Sequence, residues 1–180
     1  MHESIADYIV DVVQNAIEST AGNIELEIRE TDAFLSVLVR DDGRGMTPET
    51  LSRARDPFYS DGIKHPERSV GLGIPFLLQL VASVGGEQRI FSEPGNGTEV
   101  SFSLPVAHID MPPIGDICTA VTSVLTFDGA YELTVFRSRN GREYTVRRSE
   151  LRSVLEELES VGARTLLLEY VRSQEECLHA

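Results

Sequence analysis

Asp41, Asp42, Gly43 and Gly45 stand together in V-R-D-D-G-R-G-M, residues 39–46, with an apolar run directly before them. A carboxylate just past a buried strand accepts from a donor such as an exocyclic amine, and the glycines let a ligand approach the backbone. That is the chemistry of a nucleotide-base pocket, although a plain surface turn uses the same Asp-Gly pair. Upstream, Asp11 and Asn15 are spaced i, i+4. On a helix, such a carboxylate and carboxamide can hold Mg²⁺ through oxygen, directly and through water; an Asn satisfied by a neighbouring loop is the structural alternative. Further on, Gly71 and Gly73 of V-G-L-G-I-P precede a strongly apolar run. Free N–H groups and the helix dipole at such a start suit a phosphate, while a tight turn into a helix needs the same residues. Thr98 follows Gly97, where its hydroxyl can reach a base edge, and Thr is also an ordinary strand residue.

The elements that must position these groups are legible nearby. Apolar residues at Ile5, Tyr8, Ile9, Val12, Val13, Ala16 and Ile17 have the spacing of an amphipathic helix, which half-buries Asn15. Ile24, Leu26 and Ile28 alternate with charged residues, Thr31-Asp32 turns the chain, and F-L-S-V-L-V, residues 34–39, reads as an interior strand. A hairpin thus delivers Asp41. Pro75 sits in the first turn of a helix that Gly85-Gly86 ends, and two strands follow, around Gln88–Phe91 and Thr98–Leu104.

Residues 46–70 lack sustained periodicity, and connections longer than about 12–15 residues are often lids. Lys64, the only lysine, lies there with His65 and Arg68, which suits a flap over a polyphosphate as well as a solvated loop. The whole chain of 180 residues carries a formal charge of −13, which argues against nucleic acid or an anionic membrane as partner. Bound phosphate would need arginines, helix N-termini and a metal ion. Two separated cysteines, Cys118 and Cys177, fit a reducing cytoplasm, and no apolar run approaches the roughly 20 residues of a membrane helix.

The order of these signals resembles the GHKL superfamily of ATP-binding domains shared by histidine kinases, anti-sigma kinases, type II topoisomerases, heat-shock chaperones and mismatch-repair ATPases. The likeness rests on D-x-x-x-N in a helix, a strand into D-x-G-x-G, a long lid, G-L-G-I opening a helix, and G-N-G-T into a strand ending in Pro105. It covers about residues 2–106 and implies an α+β fold, a two-layer sandwich whose mixed sheet is covered on one face by helices. It also implies ATP and Mg²⁺ as ligands. Asn15 would bind the metal; Asp41 would take the adenine amino group, with Gly43, Gly45 and Met46 shaping the base pocket. The backbone of Gly71, Leu72 and Gly73 would contact phosphates, with Lys64 as a lid cation, and Thr98 would support the adenine. Pro57-Phe58-Tyr59-Ser60 looks like the phenylalanine-containing segment of a kinase-type lid. Two departures stand out: Asp11 replaces the family's usual Glu as the base for water, and Ser69 stands at the first glycine of the G-x-G-L-G pattern. The D-x-x-x-N helix comes almost first, so no phosphoacceptor hairpin is expected before it.

The chain thus divides into an ATP-binding domain (1–107), a linker (108–115) and a small α+β regulatory or docking domain (116–180). Strands are predicted at Ile117–Thr126, Tyr131–Arg137 and Glu143–Val146, turning at Asp128-Gly129 and Asn140-Gly141. A helix capped by Ser149 and a last strand, Thr165–Val171, complete a β-β-β-α-β unit suited to docking a protein or forming a dimer. Three functions are open: a kinase passing the γ-phosphoryl group to a partner protein, a hydrolytic ATPase using Asp11, and a non-catalytic ATP/ADP sensor.

Overall fold

Ser4 and Asp7 start the first helix reciprocally: the Ser4 hydroxyl accepts from the Asp7 N–H, and the Asp7 carboxylate accepts from the Ser4 N–H at 2.9 Å. Helix α1 (Ile5–Glu18) then buries Ile5, Ile9, Val12, Val13 and Ala16 along one stripe, as the spacing predicts. The computed structural model describes residues 3–56, 73–155 and 157–180. Strands β1 (Asn23–Glu30) and β2 (Phe34–Asp41) form the expected antiparallel hairpin. Helix α2 (Pro48–Ala54) is a correction, because its stretch was read as lacking periodic structure. Its signature is local: the Thr47 hydroxyl accepts from Thr50 N, and Pro48 and Glu49 occupy the first turn. Helix α3 (Gly73–Ser83) and the antiparallel strands β3 (Glu87–Ser92) and β4 (Thr98–Pro105) complete the first 105 residues in the order expected.

The last third departs from its reading. Residues 117–126 form a helix, α4 (Ile117–Thr126), not a strand. The stretch is rich in β-branched Ile, Val and Thr, which favour strands, but the buried residues Ile117, Ala120, Val121, Val124 and Leu125 follow a period of 3.6, and Asp116 caps the start through Thr119 N at 3.0 Å. Asp128-Gly129 therefore links a helix to a strand rather than turning a hairpin. Strands β5 (Glu132–Arg139) and β6 (Arg142–Arg147) do form a hairpin, and Asn140 (φ 47°) and Gly141 (φ 86°) give its turn the left-handed conformation that Asn-Gly favours. Helix α5 (Arg148–Val154) starts without a side-chain cap, and Ser149 bonds Glu132 instead. The strand expected at 165–171 lies inside helix α6 (Val161–His179), where Ala163, Leu167, Val171 and Leu178 are buried at helical spacing and Ser160 caps Ala163. The order after the linker is α-β-β-α-α.

These late strands extend the sheet begun by the early ones. Its order is β3-β4-β2-β1-β5-β6, antiparallel throughout except for β1 and β5, which pair in parallel from Asn23 opposite Glu132 to Glu30 opposite Arg139. Helices α3, α1, α4 and α6 pack side by side on one face. The opposite face carries exposed or half-buried residues such as Glu25, Arg29, Ser36 and Ser101. The result is the expected α+β two-layer sandwich with a mixed sheet.

Two buried arginines secure the late elements. Arg137, 1% exposed, bonds Glu175 of α6 at 3.2 Å and Glu30 of β1, while the Tyr144 hydroxyl donates to the same Glu175 oxygen at 2.8 Å. Burial, reinforced by Glu175, pushes the Tyr144 phenol well above its ordinary pKa. Arg148, fully buried, donates to the carbonyls of Leu125, Phe127 and Tyr131, thereby satisfying the C-terminal end of α4. Its guanidinium also stacks 4.0 Å from the centre of the Tyr131 ring.

Candidate nucleotide site

The two neighbouring acids at the end of β2 have opposite surroundings. Asp41 is 8% exposed, and its Oδ1 accepts from Gly43 N at 2.8 Å and from the Ser19 hydroxyl at 3.2 Å. Burial raises its pKa, outweighing the opposing pull of bonds from Gly43, Ser19 and Thr98 N. Asp42 is exposed and accepts from Gly22 N, Asn23 N and Asn23 Nδ2 at 2.7, 2.8 and 2.7 Å. The Asn23 amide, then the backbone N–H groups, hold its pKa below the usual carboxylate range. Asp42 thus ties the α1–β1 turn, leaving Asp41 as the buried acceptor. Asp42→Ala is expected to lower stability by about 1–2 kcal/mol in urea unfolding at pH 7. Since its folded pKa is depressed, the deficit should close as pH falls below the carboxylate range and Asp42 itself protonates.

The loop after Asp41 is stitched to both neighbours. A side chain at Gly43 would run into the Ser19 hydroxyl and Asp41 Oδ1, and Gly45 holds φ +63° with its Cβ position filled by the Glu93 carbonyl. Arg44 N donates to Ser19 O at 3.1 Å, and Gly95 N donates to Arg44 O at 2.8 Å. Met46 N donates to the Ser92 hydroxyl at 2.8 Å, which in turn lies 2.9 Å from Thr98 Oγ1. Thr98 stands directly opposite Asp41 in the β2–β4 register.

These groups surround a cavity of about 220 Å³ to which Asn15, Asp41, Gly45, Met46 and Thr98 all contribute. Gly43 shapes it from behind, through Asp41. Asp11 is one turn before Asn15 and lies against the start of α3, where a Cβ on Gly73 would sit 2.9 Å from its Oδ2. Residues on α1, β2, the following loop, β4 and the head of α3 (Ile74) thus line one cavity, while Asp11 and Gly73 meet each other beside it and are not among its lining residues. Lys64, Gly71, Leu72 and the Pro57–Ser60 motif lie outside the described residues. The sequence reading passed over Ser19, Ser92 and Glu18. Ser19 follows Asn15 by one turn and was detectable by helical spacing; nothing local marks Ser92. A larger hollow, about 330 Å³, lies on the open sheet face beside Glu27, Arg29 and Arg89 and contains none of the predicted residues.

The amide of Asn15 and the carboxylate of Asp11 offer an oxygen-only donor pair, which fits Mg²⁺ binding through one or two protein oxygens together with water and phosphate. Among the described residues no group of three or more His, Cys, Asp or Glu could hold a metal.

Residues 3–108 match the family described as histidine kinase-, DNA gyrase B-, and HSP90-like ATPase. The chain belongs to this ATPase family. Within it, the chain is 31% identical over 107 residues to sensor histidine kinase RcsC of Escherichia coli (strain K12), covering 58% of this chain and 11% of RcsC. Against sporulation kinase E of Bacillus subtilis (strain 168), identity is 34% over 100 residues, 54% of this chain and 13% of that kinase. The catalytic domain of histidine kinase ThkA aligns with 55% of this chain and 64% of its own, at 23% identity and a TM-score of 0.42. The chain therefore spans only a small fraction of the full-length kinases it matches.

Proposed function

We propose that this ATPase-family domain binds Mg-ATP, with the adenine amino group on Asp41, and passes the γ-phosphoryl group to a partner protein. The observation that carries this reading is Asp41 itself. It is a buried carboxylate that lines the same cavity as Asn15 and Thr98, anchored through Oδ1 by Gly43 N and the Ser19 hydroxyl. Met46 and Gly45 would border the base, the Ser92–Thr98 hydroxyl pair would complete its polar edge, and Gly71 to Gly73 would meet the phosphates. A magnesium ion held by Asn15 would neutralise phosphate charge, and catalysis would otherwise be positioning. Lys64 is the candidate lid cation. The protein acceptor would be supplied by another chain or segment.

Hydrolysis is the second reading, favoured by the placement of Asp11 against the head of α3 near Asn15. There Asp11 would take a proton from water; phosphate release that survives Asp11→Asn would end that role. Calorimetric titration with ATP, ADP and a nonhydrolysable analogue, with and without Mg²⁺, tests the site. Asn15→Ala should weaken Mg-ATP about tenfold while changing metal-free nucleotide far less. Equal losses in both would refute the metal assignment. Transfer is tested separately, by following label from γ-labelled ATP onto candidate partner proteins. No helix among the described residues is long and apolar enough to cross a membrane.

A further inference from the structure

Glu18 stands one turn past Asn15 on α1, exposed, and borders the same cavity as Asn15 and Asp41. Its carboxylate accepts from Gln14 Nε2 at 3.0 Å, which holds it on the helix surface. Asp11, Asn15 and Glu18 fall at i, i+4 and i+7, so one face of α1 offers carboxylate, amide and carboxylate in succession. Among the described residues lining the cavity, the one cationic side chain is Arg44.

This balance of charge determines what the cavity accepts. A free triphosphate entering this cavity would meet the carboxylate of Glu18 with one guanidinium, that of Arg44, as compensation, and like charges repel. A divalent cation on the phosphates reverses the sign of that encounter. The Glu18 carboxylate then attracts the complex instead of repelling it. We propose that Glu18 biases nucleotide binding toward the divalent-cation complex, favouring the metal–triphosphate species over the free polyanion. Glu18 acts here on which nucleotide species binds, and its role rests on the nucleotide reading above.

The experiment measures ATP affinity of the full chain by calorimetry, once with Mg²⁺ and once with excess EDTA, for wild type, Glu18→Gln and Glu18→Lys. Position 18 is exposed in the last turn of α1, where lysine complements the helix dipole, and thermal melts confirm folding. Wild type should bind Mg-ATP well and metal-free ATP poorly. Glu18→Gln should raise metal-free affinity about threefold, and Glu18→Lys about tenfold or more, narrowing the gap between the two conditions. A gap unchanged in both folded variants, with wild type still binding Mg-ATP, overturns the role of Glu18 alone. Failure of wild type to bind under either condition overturns the nucleotide reading and this inference with it.

Discussion

Ending the chain after Ala107 is expected to leave a polypeptide without a cooperative unfolding transition. The reason lies in what residues 108–180 supply to the first hundred. β1 would lose the whole parallel ladder from Asn23–Glu132 to Glu30–Arg139 and become an unpaired edge. α1 would lose α4, which packs along it, and two backbone partners: Ile5 N donates to Pro113 O at 3.0 Å and Ala6 N to Ile114 O at 2.8 Å. These bonds satisfy N–H groups at the helix start that no intrahelical carbonyl can reach. Glu30 would also lose Arg137 and Arg139, leaving a carboxylate without its cations. Summed over an interface of this kind, the loss exceeds the roughly 5–15 kcal/mol that holds an ordinary domain together. Circular dichroism melting of residues 1–107 beside the full chain measures it. A sharp transition in the fragment, with intact nucleotide affinity, would show that the two-domain division at residue 108 is the correct one.

The second large effect is Asp41→Asn, which should separate stability from function. Removing the ionised acceptor is expected to weaken ATP binding by about 1–3 kcal/mol, roughly fivefold to more than a hundredfold. Stability should move the other way. The folded pKa of Asp41 is raised by burial, so the folded chain holds that proton more tightly than the unfolded chain does. The contribution to stability is therefore full below the unfolded pKa and is lost as pH rises through the folded value; at neutral pH the buried charge is a net cost. Asparagine removes that charge and can still accept through Oδ1 from Gly43 and Ser19. At pH 7 the variant should melt at or above the wild-type temperature, and the advantage should vanish near pH 3. A variant that melts lower at pH 7 while binding ATP normally would show that Asp41 is a structural residue.

The early part of the fold was legible because its signals are local. Ser4 and Asp7, the apolar stripe of α1, the alternation along β1 and the glycines at positions 43 and 45 each announce their element within a few residues. α4 was misread because β-branched residues at helical spacing mimic a strand when composition is weighed over period. α6 was misread because L-L-L-E-Y-V, residues 166–171, is a short, mostly apolar stretch that mimics a strand, while its packing partners lie on α4 and, less extensively, on β5 and β6. Position in the sheet was not legible at all, since nothing near Glu132 says that it lies beside Asn23. The site follows the same rule. The D-x-G-x-G spacing already singles out Asp41 over Asp42; what the structure adds is that Asp41 is buried and Asp42 is tied by hydrogen bonds to the α1–β1 turn. Helical spacing puts Ser19 on the face of Asn15, but its bond to Asp41, across a helix end and a hairpin, is set by the tertiary fold.

The parallel pairing of β1 with β5 also governs how the molecule is made. Synthesis proceeds from the amino end, so the middle of the sheet cannot close until residue 139 has left the ribosome. Until then β1 presents open backbone donors and acceptors to any passing polypeptide. Pairings this distant along the chain give slow folding, so the nascent protein spends its vulnerable interval with the ATP-binding half already translated and its sheet still missing a neighbour.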